Sequence, residues 1–148
     1  MNPAPITILM ADDDPDDRMF VEDAWEESRL ANELKFVTDG EELLDYLHQR
    51  GPYAAAEEAP QPGLILLDLN MPRMDGREAL ERIKKDEELQ SIPVVVLTSS
   101  KAEEDILRSY DMGVNSYIVK PVTFDKLVDV IQTLGLYWLE IVELPQND

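Results

Sequence analysis

The sequence predicts an α/β fold, a (βα)5 doubly wound domain in which one parallel five-stranded sheet carries helices on both faces. Three observations lead there. Five short apolar runs recur along the 148 residues: ITILM at 6–10, KFV at 35–37, LILLDL at 64–69, PVVVL at 93–97 and SYIV at 116–119. The stretches between them place apolar residues at helical spacing instead. The third run is apolar without alternation, as a strand buried on both faces requires.

The elements follow in order. The first strand gives way to ADDDPDD at 11–17, five aspartates in seven positions. Asp14 before Pro15 makes an N-cap with proline at the first helical position, opening a helix that runs to about Ser28. After the second strand, Asp39 and Gly40 form a turn, and Leu43, Leu44 and Leu47 mark the second helix. QRGPYAAAEEAPQP at 49–62 exceeds the plan and reads as an inserted loop before the third strand. Ala79, Leu80 and Ile83 share one face of the third helix, and Ile106, Leu107 and Tyr110 share one face of the fourth. A stripe of Leu127, Ile131, Leu134, Trp138 and Ile141 runs through the fifth helix into a C-terminal extension at 135–148. Residues 1–148 are expected to form a single domain.

Composition narrows the function. A net charge of −19 disfavours nucleic acid and anionic membranes as partners. The absence of cysteine excludes disulfides, cysteine–zinc sites and thiol catalysis. His48 is the one histidine, so no multi-histidine metal site can form, and it is assigned no role. No apolar run approaches the ~20 residues that span a bilayer. A soluble, cytoplasmic protein is expected.

In a doubly wound sheet, ligands bind beyond the carboxyl ends of the strands. Asp12 and Asp13 close the first strand, Asp68 the third, Thr98 the fourth and Lys120 the fifth. Carboxylates facing one another repel and need a cation, and oxygen ligands without histidine or cysteine favour Mg2+. A metal beside Lys120 suits a phosphoryl group, whose oxygens both cations neutralise. Thr98 can donate a hydroxyl hydrogen bond to it, and Asp68 can carry it as an acyl phosphate. Asp14, Asp16 and Asp17 are read differently, as first-turn acids favoured by the helix dipole.

ADDD after the first strand, LILLDLNMPRMDG around Asp68, VVVLTSS at the fourth strand and YIVKP at the fifth resemble a receiver domain of the two-component response regulators. These are the CheY-like, flavodoxin-like domains, and the match runs from about Ile6 to Leu134. The resemblance implies Asp68 as phosphoacceptor, with Asp12, Asp13 and the Asn70 backbone carbonyl holding Mg2+. It further implies Thr98 as switch hydroxyl, Tyr117 as the aromatic coupled to it, Lys120 as the phosphoryl-contacting amine, and a cis Lys120–Pro121 bond. The donor would be a sensor histidine kinase, and the protein a signalling phosphoacceptor with only slow self-dephosphorylation. The insertion and the ending GLYWLEIVELP look like the stand-alone regulators that partner bacterial phytochrome kinases. Output is then expected from the face of the fourth helix, fifth strand and fifth helix, with a homodimer formed there and through the extension.

Three other functions use the same residues and fit them less well. An EF-hand starting at Asp12 lacks the glycine required where Asp17 stands and the glutamate required where Asp23 stands. A haloacid-dehalogenase-type phosphatase needs a second aspartate where Asn70 stands. A receiver reduced to a binding module would have lost a site residue, and none is missing.

Overall fold

The computed structural model describes residues 6–27, 32–55, 59–108, 113–123, 125–127 and 129. The elements are β1 (Thr7–Ala11), α1 (Pro15–Glu27), β2 (Leu34–Val37), α2 (Gly40–His48), β3 (Pro62–Asp68), α3 (Gly76–Lys85), β4 (Val94–Thr98), α4 (Lys101–Arg108) and β5 (Ser116–Val119). The strands form one parallel sheet in the order β2-β1-β3-β4-β5. Parallel neighbours require crossovers, and each crossover here is a helix packed on a sheet face. The expected α/β doubly wound architecture is the one found.

The strands' burial explains their composition. Every residue of β1 and β4 is buried, and β3 is buried at all positions but Gly63. Alternate residues feed two cores. Leu9, Ile65, Leu67 and Val96 pack with α2, α3 and Leu107 on one face. Ile8, Met10, Leu64, Leu66, Val95 and Leu97 pack with Val21 and Trp25 of α1 on the other. Helix starts follow the local chemistry. The Asp14 carboxylate accepts from the Asp16 amide at 2.8 Å, ahead of Pro15, and Asp39 and Asp75 cap α2 and α3 in the same manner.

One detail departs from the sequence reading. Ile106 is 57% exposed, because the buried stripe of α4 is centred on Glu104 and Leu107. Tyr110 lies outside the described residues. The described residues of the insertion pack back on the domain. Ala59 is buried, the Tyr46 hydroxyl donates to the Pro60 carbonyl at 2.9 Å, and the Tyr53 ring packs on Tyr46 at 5.1 Å between centroids. The insertion's described residues are thus fastened to α2. The stripe beyond Leu127, and with it the expected dimer seam, lies outside the described residues.

Candidate functional site

Sheet order decides which strand ends become neighbours. With β1 beside β3, and β4 and β5 following, the residues after β1 and at the ends of β3, β4 and β5 share one edge. Asp12 sits directly after β1 and is fully buried; Asp13 beside it is exposed. Asp68 is the last residue of β3 and is buried. One carboxylate oxygen from each of Asp12, Asp13 and Asp68 lies within 4.8 Å of the others.

Lys120, just past β5, answers this charge. Its ammonium stands 3.1 Å from Asp68 Oδ2, 3.1 Å from Asp12 Oδ2 and 2.7 Å from Asp17 Oδ2. Its directed hydrogen bonds go to Asp17 and Asp68, while the contact with Asp12 is a less well aligned ion pair. Burial works against the ammonium, yet the Asp17 hydrogen bond and the charges of Asp68 and Asp12 outweigh it and hold its pKa above the ordinary lysine value.

Asp12 shows the opposite balance. Burial pushes its carboxyl up to about 7, against the Asp14 amide and the Lys120 charge, which pull it down. Asp12 Oδ1 accepts from the Asp14 amide at 2.9 Å, but buried Oδ2 has no hydrogen bond. A buried carboxylate oxygen with no aligned hydrogen bond, facing two further carboxylates, fits a hard divalent cation.

This balance sets a pH dependence. Between about 4 and 7 the folded chain keeps a proton on Asp12 that the unfolded chain has released. Stability from this group therefore falls as pH rises through that window and levels off above it. A cation competes with the same proton, so its affinity rises over the same window. Calorimetric titration should show a divalent cation binding roughly tenfold tighter at pH 8 than at pH 6. Asp12→Asn should abolish that dependence and raise metal-free stability at pH 8. Equal affinity at both pH values would show that Asp12 is already ionised at pH 6.

The remaining predicted residues lie on β4, β5 and the loops after β3 and β5. The Asn70 amide donates to Asp68 Oδ1 at 3.1 Å, so the loop after β3 folds back over the strand end. Thr98 is fully buried at the end of β4, one position beyond the residue paired with Asp68. Its hydroxyl donates to the Ser100 carbonyl at 3.3 Å. Tyr117 pairs with Val96 across β4 and β5 and is half-buried, with the Arg108 guanidinium 4.4 Å from its ring centroid. The Lys120–Pro121 bond is cis.

Asp17 is the residue that sequence reasoning assigned to the helix dipole alone. Its side chain instead makes the shortest of the Lys120 contacts. The signal was present: with Pro15 at the first helical position, Asp17 lies in the first turn, and helical side chains lean toward the N-terminus, here the end of β1. Gly76 was also missed. A Cβ there would stand 2.5 Å from the Asp68 carbonyl oxygen, so glycine lets α3 start against the end of β3.

Comparison with known proteins shows what the chain as a whole is similar to. The model of the response regulator receiver domain matches residues 8–132. Response regulator Rcp1 of Synechocystis sp. is 41% identical over 144 residues, covering 97% of this chain and 95% of its own. The structure of bacteriophytochrome response regulator RtBRR superposes with a TM-score of 0.84 at 42% identity, covering 97% of this chain and 83% of that one. The Mn2+-bound form of response regulator Rcp1 gives a TM-score of 0.71 at 41% identity, covering 96% of this chain and 100% of that one.

Proposed function

Since the chain belongs to the response regulator receiver domain family, we propose that it is a stand-alone, phytochrome-type regulator that accepts a phosphoryl group on Asp68. The observation that carries this reading is one ammonium, Lys120, shared among Asp68, Asp12 and a third carboxylate, next to the Asp12–Asp13–Asp68 cluster. A sensor histidine kinase is the donor. The relative RtBRR is named a bacteriophytochrome response regulator, and the insertion and the ending GLYWLEIVELP favour a bacterial phytochrome kinase here. The protein signals from the cytoplasm and turns over no outside substrate.

Asp68 attacks the phosphorus of a phosphohistidine in line. The new P–O bond forms as the P–N bond breaks, and the imidazole leaves with the electron pair. Mg2+ held by Asp12, Asp13, Asp68 and the Asn70 carbonyl would supply charge neutralisation for the transferring group. Lys120 gives an N–H to a phosphoryl oxygen. Thr98 turns its hydroxyl from the Ser100 carbonyl to another phosphoryl oxygen and vacates space beside β5. Tyr117 then moves inward, away from Arg108, and remodels the face of α4 and β5.

The test is phosphorylation by acetyl phosphate, read by intact mass. One added phosphoryl group is expected with Mg2+ and none with excess chelator. Labelling that ignores the chelator would refute the proposed site chemistry.

A homodimer through α4, β5 and the stripe reaching Ile141 belongs to the same proposal. It is supported by the exposure of Ile106 and by the stripe's alternating steps of four and three. Trp138→Glu should reduce a dimer to a folded monomer in light scattering, with labelling retained. A wild type that is monomeric at high concentration, with or without beryllofluoride, would exclude the seam.

A further inference from the structure

The phosphoacceptor reading leaves one strong contact without a role. Asp17 holds the Lys120 ammonium at 2.7 Å, closer than Asp68 or Asp12, each at 3.1 Å. The arrangement is anchored. Arg18, the next residue, donates from Nη1 to the Asp12 carbonyl at 2.8 Å, tying the first turn of α1 to the end of β1. Asp17 and Lys120 are 103 residues apart in sequence, so only the fold brings them together.

Building on the reading of Asp68 as phosphoacceptor, we propose that Asp17 is a positioning residue that competes with the phosphoryl group for Lys120 and so limits the population of the phosphorylated form.

The argument is one of charge. Before transfer, Asp68 presents a carboxylate to Lys120. Afterwards it carries a phosphoryl group whose oxygens bear close to two negative charges. That group needs the ammonium more than the carboxylate did. Asp17 already engages one of its directed hydrogen bonds, and a charged acceptor holds an ammonium more strongly than a neutral one. Both Asp17 Oδ2 and Asp68 Oδ2 touch the same nitrogen, so the Asp17 charge also stands roughly 6 Å or less from the acceptor and repels the added negative charge. Both effects favour the unphosphorylated form. Neither requires Asp17 to touch the phosphorus.

Beryllofluoride is the probe, because it joins a carboxylate oxygen as a non-transferable phosphoryl analogue. Its binding in the presence of Mg2+ is followed by fluorine NMR in wild type, Asp17→Asn, Asp17→Glu and Asp16→Asn. Asparagine keeps an oxygen for Lys120 but removes the charge, so Asp17→Asn should bind about threefold tighter or more. Asp17→Glu restores the charge and should return toward wild type. Asp16→Asn removes an equal charge one residue away, outside the Lys120 contacts, and should bind like wild type. Labelling by sub-saturating acetyl phosphate should rise with the same ranking. Equal or weaker binding by Asp17→Asn would overturn the competition, as would an equal gain in Asp16→Asn, which would mark a diffuse field. A wild type that neither binds beryllofluoride nor takes label would instead overturn the phosphoacceptor reading, and this proposal with it.

Discussion

Asp68→Asn should reduce acetyl phosphate labelling below detection while the protein stays folded. The substitution is nearly isosteric. The amide oxygen can still accept from the Asn70 amide, now 3.1 Å from Asp68 Oδ1, so the turn after β3 keeps its closing bond. The carboxylate's nucleophilic charge is lost, and with it the acyl phosphate proposed at this position. Lys120 loses one of its partners but keeps Asp12 and Asp17. Removing one carboxylate from the cluster also relieves repulsion, so stability should stay within about 1 kcal/mol of wild type. Intact mass reads the label, and a denaturant midpoint reads the fold. Persistent labelling would identify a different acid as acceptor, with Asp13 the first to examine.

Gly76→Val should cost on the order of 3 kcal/mol or more, lowering the melting temperature by roughly ten degrees. Gly76 opens α3, and its amide donates to the Leu69 carbonyl at 3.0 Å. A Cβ at this position would meet the Asp68 carbonyl oxygen at 2.5 Å and Leu69 Cα at 2.6 Å. Both are backbone atoms and cannot swing aside as a side chain would. Either α3 lifts off the sheet, uncovering Ala79, Leu80 and Ile83, or the end of β3 shifts and takes Asp68 with it. The second outcome should also depress labelling in the protein that remains folded. A denaturant midpoint within about 0.5 kcal/mol of wild type would show that the contact is easily relieved.

Much of the fold was legible because its causes are local. Apolar runs, the Asp14–Pro15 start and the Asp39–Gly40 turn act over a few residues. The site was legible for a related reason. Function in this architecture gathers at strand carboxyl ends, and Asp12, Asp13, Asp68, Thr98 and Lys120 stand at the ends of identifiable strands. Helix faces were read less well. Ile106 and Leu107 are adjacent apolar residues about 100° apart on the helix, and periodicity alone does not say which one meets the sheet.

The sequence by itself determined the alternation of strands and helices, the position of each site residue along the chain, and the surplus of acids after β1. Only the tertiary structure decided which of those acids interact. Asp17 belongs with Lys120 because α1 begins against the strand that neighbours β3, a fact of sheet order and helix start that no local pattern contains. Asp12 is raised to about 7 and Asp13 is not among the buried residues, although they are neighbours of one type, because one side chain points into the domain and the other to water. Gly76 looks like any glycine after a turn until the Asp68 backbone arrives beside it. Charge, burial and steric exclusion all depend on separations in space, and the chain sets those separations only once the sheet has closed.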